Sequence, residues 1–259
     1  MEARAPRYVF DQRWQEERQR LEGIEALWDA GSAAALERAG VGPGWSCVEV
    51  GAGGGSMVEW LSDRVGPDGH VLGTDVDTRF LDAIERDNVT IAENDVLTED
   101  LPGAPFDLVY SRLVVEHLGT PALDRMLAAV KPGGMLVLED YDFSASACHP
   151  ADENFERVTD AVLEFMSAAG FDPHFGRTLP AVLSAAGLED VHADGRVRIV
   201  QGGSHEVAFY RLTLFALRVP LVDSGRLTDA DFDSALGGLE DPEVTFVSPV
   251  LVAAQGRRS

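Results

Sequence analysis

Short apolar segments alternate with stretches of helical periodicity through the first half of the chain. The apolar segments read CVEV, HVLGTDV, VTIAEND, FDLVYS and MLVLED, between Cys47 and Asp140. Each is typical of a buried strand, and the intervening MVEWLSDRV, TRFLDAIERD, LVVEHL and PALDRMLAAV predict helices. Strands that alternate with helices at this spacing predict an α/β fold, in which helices cover both faces of a parallel sheet.

Helical patterns flank this region on both sides. One helix is expected over 15–39, and further helices over 154–169, 179–186, 207–218 and 228–239. Strands are expected at Val197–Gln201 and Val244–Gln255, and Pro249 in the second favours a sheet edge or a bulge. One domain over residues 1–259 with a helical insertion is the simplest interpretation.

The charge balance excludes several classes of partner. Acidic residues number 44 and basic residues 21, which gives a net charge of −23. Such a field repels polyanions, so we expect neither nucleic acid nor an anionic membrane as a partner. An apolar run long enough for a signal peptide or a membrane span is absent, which predicts a cytoplasmic protein. The two cysteines, Cys47 and Cys148, match neither a disulfide framework nor a zinc site.

A glycine-rich loop, VEVGAGGGS (Val48–Ser56), lies where the first strand should end and a helix begin. Such a turn exposes backbone to a ligand, although a purely structural turn is the alternative. The loop departs from the dinucleotide fingerprint because the sixth place from Gly51 is Ser56. Glu49 would also oppose a pyrophosphate but favour an ammonium or sulfonium. The loop therefore indicates a cationic nucleoside rather than NAD.

Two further carboxylates follow the next two strands. Asp75 comes 24 residues after Gly51, where an acidic residue accepts hydrogen bonds from ribose hydroxyls. Asp95 follows the third strand, where a carboxylate can accept from an adenine amino group. Each taken singly is often a solvated loop residue, but three carboxylates at successive strand ends favour a nucleoside site.

Together these motifs resemble the class I S-adenosylmethionine-dependent methyltransferases of the small-molecule type. The resemblance rests on VEVGAGGGS, VLGTDVD, ENDV, FDLVYSRLVVEHL and KPGGMLVLED, and covers roughly Val41 to Asp142. It implies a Rossmann-like, seven-stranded, mostly parallel sheet with an N-terminal helical cap (1–40) and a cofactor-binding core (41–142). Residues 143–259 would supply substrate-side helices, as an insertion near the last strands, and the last strands themselves.

The resemblance also implies roles for individual residues toward S-adenosylmethionine. Glu49 and the Ser111 carbonyl would lie beside the ammonium, and Tyr8 and Arg20 would reach the carboxylate, with a surface salt bridge as the alternative for Arg20. The remaining cofactor-binding residues would be Gly51 and Gly53 under the ligand, Asp75 at the ribose, Val76 on the adenine, and Asp95 and Val96 at its polar edge.

The methyl acceptor is less constrained by the sequence. His117 and Asp140 are candidate catalytic bases, against structural roles at a helix start and a helix cap. No metal site is expected, because the metal-dependent relatives' carboxylate pattern does not match. Aromatic residues of the cap and the variable half would suit a flat or apolar acceptor, and these are Phe10, Trp14, Phe143, Phe155, Phe165, Phe171, Phe175, Phe209, Tyr210 and Phe215.

The leading hypothesis is therefore methyl transfer from S-adenosylmethionine to an apolar or aromatic small molecule, in specialised metabolism, by a monomer or homodimer. Two alternatives stay open. One is a protein of this fold that binds the cofactor without transferring methyl, as a scaffold or a cyclisation catalyst. The other is an NAD(P)-dependent oxidoreductase, which Glu49 and the glycine pattern oppose.

Overall fold

The apolar segments of the first half become the strands of a central sheet in the computed structural model, which describes residues 16–259. The helices and strands up to the middle of the chain are α1 (Glu17–Arg38), β1 (Ser46–Val50), α2 (Ser56–Val65), β2 (His70–Asp75), β3 (Val89–Glu93), β4 (Phe106–Arg112), α3 (Val115–Leu118), α4 (Thr120–Ala129) and β5 (Val130–Asp142). The second half supplies β6 (Ala147–His149), α5 (Glu153–Ser167), α6 (Phe175–Ala185), β7 (Glu189–Arg196), β8 (Ile199–Gln201), α7 (Ala208–Asp223), α8 (Asp229–Glu240), β9 (Thr245–Val247) and β10 (Val250–Arg257).

Seven strands form the main sheet in the order β3-β2-β1-β4-β5-β10-β7. The first five pair in parallel, whereas β10 runs antiparallel to both β5 and β7. The strand order reverses direction at β1 and β4, and such a switch point opens a crevice at the carboxyl ends of the strands. The predicted seven-stranded, mostly parallel sheet is confirmed.

Alternating side chains of the parallel strands supply two apolar cores, one on each face. Cys47 points into a cluster with residues of α1 and α2, such as Leu36 and Leu61. Its neighbour Val48 points the opposite way, into a cluster that contains Met126 of α4 and Leu179 of α6. Helices therefore cover both faces, as the strand and helix alternation predicts.

A third apolar cluster joins the two ends of the chain above the sheet. It contains α1, α5, α7, α8 and the small antiparallel sheet β6-β9-β8. Trp28 of α1 is buried there, and its indole N–H donates to the Tyr141 hydroxyl at 2.7 Å. The N-terminal helical cap and the helical insertion are thus packed together over one side of the crevice.

Two local predictions are wrong, and one strand was not predicted. TRFLDAIERD forms a 3₁₀ turn (Thr78–Phe80) and loose turns rather than a helix, because within it only Leu81 is buried. The last strand is divided at Pro249 into β9 and β10, which belong to different sheets, and β10 lies inside its sheet rather than at an edge. The strand predicted over Val197–Gln201 is present as β8 (Ile199–Gln201) of the small sheet, whereas the polar β7 was not predicted.

Within residues 16–259, none of the helices has the length and apolar character needed to cross a membrane.

Candidate functional site

A cavity of about 410 Å³ opens at the carboxyl ends of the parallel strands, where the strand order reverses. Its walls come from the ends of β1, β2 and β4, from α1 and α3, and from the helices of the second half. One part, the polar end, contains Glu49, the glycine loop, Asp75 and the turn at 94–97. The other part, the aromatic end, is lined by rings of the second half, and both parts belong to one continuous cavity.

The glycine loop (residues 51–55) turns sharply from β1 into α2. Gly51 and Gly53 have φ of +73° and +54°, a region that favours glycine. A Cβ on Gly51 would collide with Val114 Cγ2, and one on Gly53 would lie 3.2 Å from Leu21 Cδ2. The loop therefore presents bare backbone to the cavity, and both glycines line it.

Asp75 holds the loop in place from the end of β2. Its Oδ2 accepts from the Gly53 N–H at 2.9 Å, and its Oδ1 accepts from the Asp77 N–H at 3.1 Å. Val76, the next residue, is 50% exposed and lines the cavity. An ionised carboxylate accepts several hydrogen bonds, so Asp75 can bind ribose hydroxyls while it keeps its backbone donors.

Glu49 lies at the floor of the polar end. Its side chain is 3% exposed, and its Oε2 has no hydrogen-bond partner among the described residues. Burial raises the pKa of Glu49 well above the ordinary value, and the Arg112 guanidinium partly opposes this shift. A buried carboxylate with an unused oxygen fits a ligand that carries an ammonium or sulfonium, because that charge would compensate the desolvation.

The turn after β3 brings together Asn94, Asp95 and Val96. The Asp95 carboxylate accepts from the Leu97 N–H at 2.9 Å and the Thr98 hydroxyl at 3.1 Å, so it also stabilises the turn. Val96 is buried, and both it and Asp95 line the cavity. Asn94 lines it too, and its buried Oδ1 has no partner among the described residues. The sequence placed Asn94 at a strand end but gave no reason to choose it.

Arg20 and Ser111 differ in their relation to the cavity. Arg20 lines it and forms a bidentate ion pair with Glu17, at 2.8 and 2.7 Å, in which both side chains are at most 4% exposed. The pair is therefore buried and not on the surface. Ser111 is buried in β4 outside the cavity lining, and the next two residues take its place. Tyr8 lies outside the described residues.

Leu113 marks a strained turn at the end of β4. Its φ of +58° is uncommon for a residue with a Cβ, and its N–H donates to the Glu139 carbonyl at 2.7 Å. Leu113 lines the cavity, so this strain lies at the site. No sequence pattern indicates such a conformation.

The two candidate bases occupy different surroundings. His117 lines the cavity on α3, and its ring centroid is 4.8 Å from that of Phe171. Burial, together with Arg20, lowers the pKa of His117 to about 3, so the imidazole is neutral. Asp140 lies behind α3, accepts from the Glu116 N–H at 3.3 Å and is not part of the lining. Both assignments stay predictions, and only that of His117 has the side chain at the cavity.

Glu116 is a cavity carboxylate that the sequence reasoning missed. It is 2% exposed, and its Oε2 accepts from the Tyr141 N–H at 2.7 Å. Its Oε1 lies 3.7 Å from Nε2 of His117. Burial and the neighbouring Asp140 raise the pKa of Glu116. In the segment LVVEHL, the neighbouring His117 was predicted as the catalytic base instead.

Rings of the second half form the aromatic end of the cavity. Five predicted residues line the cavity, with Tyr141 and Phe246 in addition, and these five are Phe143, Phe155, Phe171, Phe209 and Tyr210. The described residues Phe165, Phe175 and Phe215 are not in the lining, and Phe10 and Trp14 lie outside the described residues. In the part of the chain that the structure describes, no three His, Cys, Asp or Glu side chains gather as a metal site.

Among residues 16–259, the two arginines that line the cavity are each paired with a carboxylate. Arg20 is bound by Glu17, and the Arg112 Nη1 donates to Asp29 Oδ1 at 2.8 Å. Six further carboxylates line the same cavity, and these are Glu25, Glu49, Asp75, Asp77, Asp95 and Glu116. The charge at the described walls therefore favours a cationic or neutral ligand over an anionic one.

This strand order, with a glycine loop after β1 and carboxylates at the ends of β1, β2 and β3, is that of a Rossmann-like fold. Residues 47–134 match the sequence model of a methyltransferase domain. Over these residues the chain is similar to methyltransferase domains, and the strand order around them is that of the Rossmann-like fold.

Relatives of this chain include two curated methyltransferases. It is 34% identical to methyltransferase str2 of Strobilurus tenacellus over 152 residues, which cover 56% of this chain and 54% of the relative. It is 29% identical to the ubiquinone/menaquinone biosynthesis C-methyltransferase UbiE of Bordetella parapertussis over 138 residues, 50% of this chain and 52% of that one. The chain thus spans about half the length of the curated relatives it matches.

A solved structure extends the likeness of fold to nearly the whole chain. The phosphoethanolamine N-methyltransferase 2 of Haemonchus contortus, in complex with phosphomonomethylethanolamine and S-adenosylhomocysteine, aligns with a TM-score of 0.58. It is 15% identical and covers 95% of this chain and 58% of that one. At this identity the likeness concerns the fold.

Proposed function

We propose that this protein transfers a methyl group from S-adenosylmethionine to a neutral, apolar or aromatic small molecule. The observation that carries the proposal is the single cavity with two chemically different ends. Its polar end offers a glycine loop and carboxylates that suit a cationic nucleoside, and its aromatic end offers a place for a flat acceptor.

The polar end would hold S-adenosylmethionine through residues that fit each part of it. Glu49 would accept from the ammonium, Asp75 from the ribose hydroxyls, and Val76 would pack on the adenine beside the 94–97 turn. Arg20 lies at the cavity wall, where it would reach the methionine carboxylate. The bound cofactor supplies an activated methyl group on a sulfonium. Asn94, with its unused Oδ1, is a further candidate for the adenine edge.

The chain's own contribution to catalysis would be positioning and the exclusion of water. Tyr141, Phe143 and Phe171 form a run of ring contacts with centroids 5.4 and 6.0 Å apart. A flat acceptor held among such rings has few orientations and little water around it, and both effects accelerate an in-line displacement.

The charge of the described cavity walls favours a neutral acceptor over a phosphorylated one. A phosphate requires unpaired cations or a set of backbone donors. Here Arg20 and Arg112 are each engaged by a carboxylate. An acceptor resembling the ligand in the Haemonchus complex is therefore disfavoured, although the fold is shared. A small aromatic metabolite of specialised metabolism fits this cavity better, handled in the cytoplasm by a monomer or homodimer.

Turnover with matched acceptor sets tests the proposal. Protein and S-adenosylmethionine are incubated with neutral phenols, naphthols and quinols in one set, and with phosphoethanolamine and simple amines in the other. S-adenosylhomocysteine and the methylated product are measured by mass spectrometry. The proposal expects product from the first set only. Product from phosphoethanolamine alone would contradict the acceptor class, and cofactor binding without product from either set would favour the scaffold or cyclisation alternative.

A further inference from the structure

Glu116, like Glu49, is a buried carboxylate of the cavity that forms no ion pair with an arginine among the described residues. It belongs to α3, shortly after β4, and lines the cavity. Glu17 at the same cavity forms an ion pair with Arg20. The nearest described basic side chain to Glu116 is His117, whose Nε2 lies 3.7 Å from Glu116 Oε1, and this imidazole is neutral. A buried carboxylate without a cationic partner is costly, so its retention at a cavity wall calls for a function.

The hydrogen bonds of Glu116 divide its two oxygens into different roles. Oε2 accepts from the Tyr141 N–H at 2.7 Å, which fixes the carboxylate against β5. The Glu116 N–H donates to Asp140 at 3.3 Å, and its carbonyl accepts from the Asp172 N–H at 2.8 Å. The backbone of Glu116 is therefore held on both sides. Its Oε1 has no hydrogen bond to another described residue, and the Glu116 side chain is part of the cavity wall.

We propose that Glu116 is the proton acceptor of the reaction, and that the methyl acceptor is a hydroxyl-bearing aromatic molecule that donates its O–H to Glu116 Oε1. This proposal rests on the proposed function. The acceptor oxygen forms a bond to the methyl carbon, and the carbon–sulfur bond breaks with its electron pair left on sulfur. The hydroxyl proton passes to Glu116 Oε1, and the carboxyl later releases it to water.

Geometry and basicity favour Glu116 over the other two candidates. Asp140 is basic for a carboxylate but lies outside the cavity lining. His117 lines the cavity, but a pKa of about 3 makes its imidazole a weak base. The pKa of Glu116 is raised by burial and by Asp140, which brings its basicity closer to the range that efficient general bases use.

The pH dependence follows from the groups that surround Glu116. These are Asp140 on β5, Asp172 before α6, His117 on α3 with Arg20 of α1 facing it, and the Tyr141 phenol, whose pKa burial raises further. His117 and Tyr141 therefore do not change charge near neutral pH. Protonation of the Glu116 and Asp140 pair is the expected event as the pH falls, and hydrogen bonding from an acceptor hydroxyl is lost with it.

A binding comparison with a matched pair of probes tests the proposal without a known acceptor. Protein saturated with S-adenosylhomocysteine is titrated with 2-naphthol and with 2-methoxynaphthalene, which lacks the hydroxyl donor. We expect the wild type to bind 2-naphthol about tenfold or more tightly at neutral pH, as a hydrogen bond to a charged group allows. The preference should decline as the pH is lowered.

Glu116→Gln should abolish this preference. The amide keeps an oxygen for the Tyr141 N–H but presents an NH₂ donor where the carboxylate presents an acceptor. Asp172→Asn is the matched control, because it removes an exposed charge near Glu116 outside the cavity and keeps the backbone bond. It should keep the preference and shift its loss to lower pH.

The outcomes separate this proposal from the proposed function. Equal affinities for both probes in the wild type, or a preference that survives in Glu116→Gln, would overturn the role of Glu116. The wild-type pH series needs no variant, so it decides the matter even if Glu116→Gln does not fold. Failure of S-adenosylhomocysteine to bind the wild type would instead contradict the proposed function.

Discussion

Replacing Glu49 by glutamine should raise the stability of the free protein and lower its affinity for the cofactor. The carboxylate is buried under the polar end, with Oε2 unpartnered among the described residues. Glutamine has the same shape without the charge. The substitution therefore separates the cost of a buried carboxylate in the free protein from its benefit toward a bound cation.

The size of both effects follows from the surroundings of Glu49. Its pKa is raised in the folded protein, so the unfolded chain ionises more readily and folding stability falls as the pH rises above 4.5. At a pH above the pKa of Glu49 in the folded protein, each pKa unit by which folding raises it lowers the free energy of unfolding by about 1.4 kcal/mol. With the cofactor bound, a charge-assisted hydrogen bond contributes about 1.5–3 kcal/mol, so its loss should weaken binding by about tenfold to a hundredfold.

Urea unfolding and calorimetry measure the two effects. Wild type and Glu49→Gln should have similar stability at mildly acidic pH, and the variant should be the more stable at neutral pH. Titration with S-adenosylmethionine should reveal the weaker binding. 5′-Methylthioadenosine, which lacks the ammonium and carboxylate, is the control ligand and should bind both proteins equally.

Two results would refute this reasoning. If Glu49→Gln is less stable than the wild type at neutral pH, the carboxylate is satisfied by a partner in the free protein. If both ligands lose the same affinity, Glu49 does not face the ammonium.

Three further predictions concern the loop, the core and the histidine. Gly53→Val forces a β-branched residue to φ +54°, which should cost ~1–3 kcal/mol of stability and lower cofactor affinity at least tenfold. Gly44→Val, at φ +80° with open space around it, is the control: it should cost a similar amount of stability and leave cofactor binding unchanged. Glu139→Ala should destabilise the protein by about 3–5 kcal/mol in urea, because Arg196 and two hydroxyls lose a buried acceptor; a cost below about 1 kcal/mol would contradict this. The pKa of His117 is lowered in the folded protein, so the wild type should lose about 2 kcal/mol of stability between neutral pH and about pH 5. His117→Gln should not show this loss. If the stability of the two proteins falls in parallel with pH, the histidine is not held in a neutral, buried state.

The parallel half of the fold could be predicted because its strands are buried on both faces. Cys47 and Val48 belong to cores on opposite sides, so this segment reads as a continuous apolar run with a recognisable boundary at the glycine loop. The polar β7 carries no such signal, because its burial is partial and its pairing with β10 comes from distant sequence. The TRFLDAIERD segment has helical spacing, but tertiary packing requires only Leu81 inside.

The candidate site was predicted where a motif fixes the backbone. Asp75 and the glycines follow from their places after strands, and the structure adds that Asp75 itself holds Gly53. Glu116 and Asn94 were missed because their role depends on which side chain faces the cavity, which spacing alone does not determine. The strained conformation of Leu113 accompanies a hydrogen bond from its N–H to the Glu139 carbonyl of β5, and no pattern in the neighbouring sequence indicates this contact.

The central claim is that the polar end of the cavity binds S-adenosylmethionine, and parallel calorimetric titrations test it most directly. Wild type and Asp75→Ala are each titrated with S-adenosylmethionine, S-adenosylhomocysteine and NADH. We predict that the wild type binds the first two and not NADH, and that Asp75→Ala weakens both by at least about tenfold, since it removes the ribose acceptor and the support of Gly53. Binding of NADH alone, or unchanged affinity in Asp75→Ala, would contradict the account.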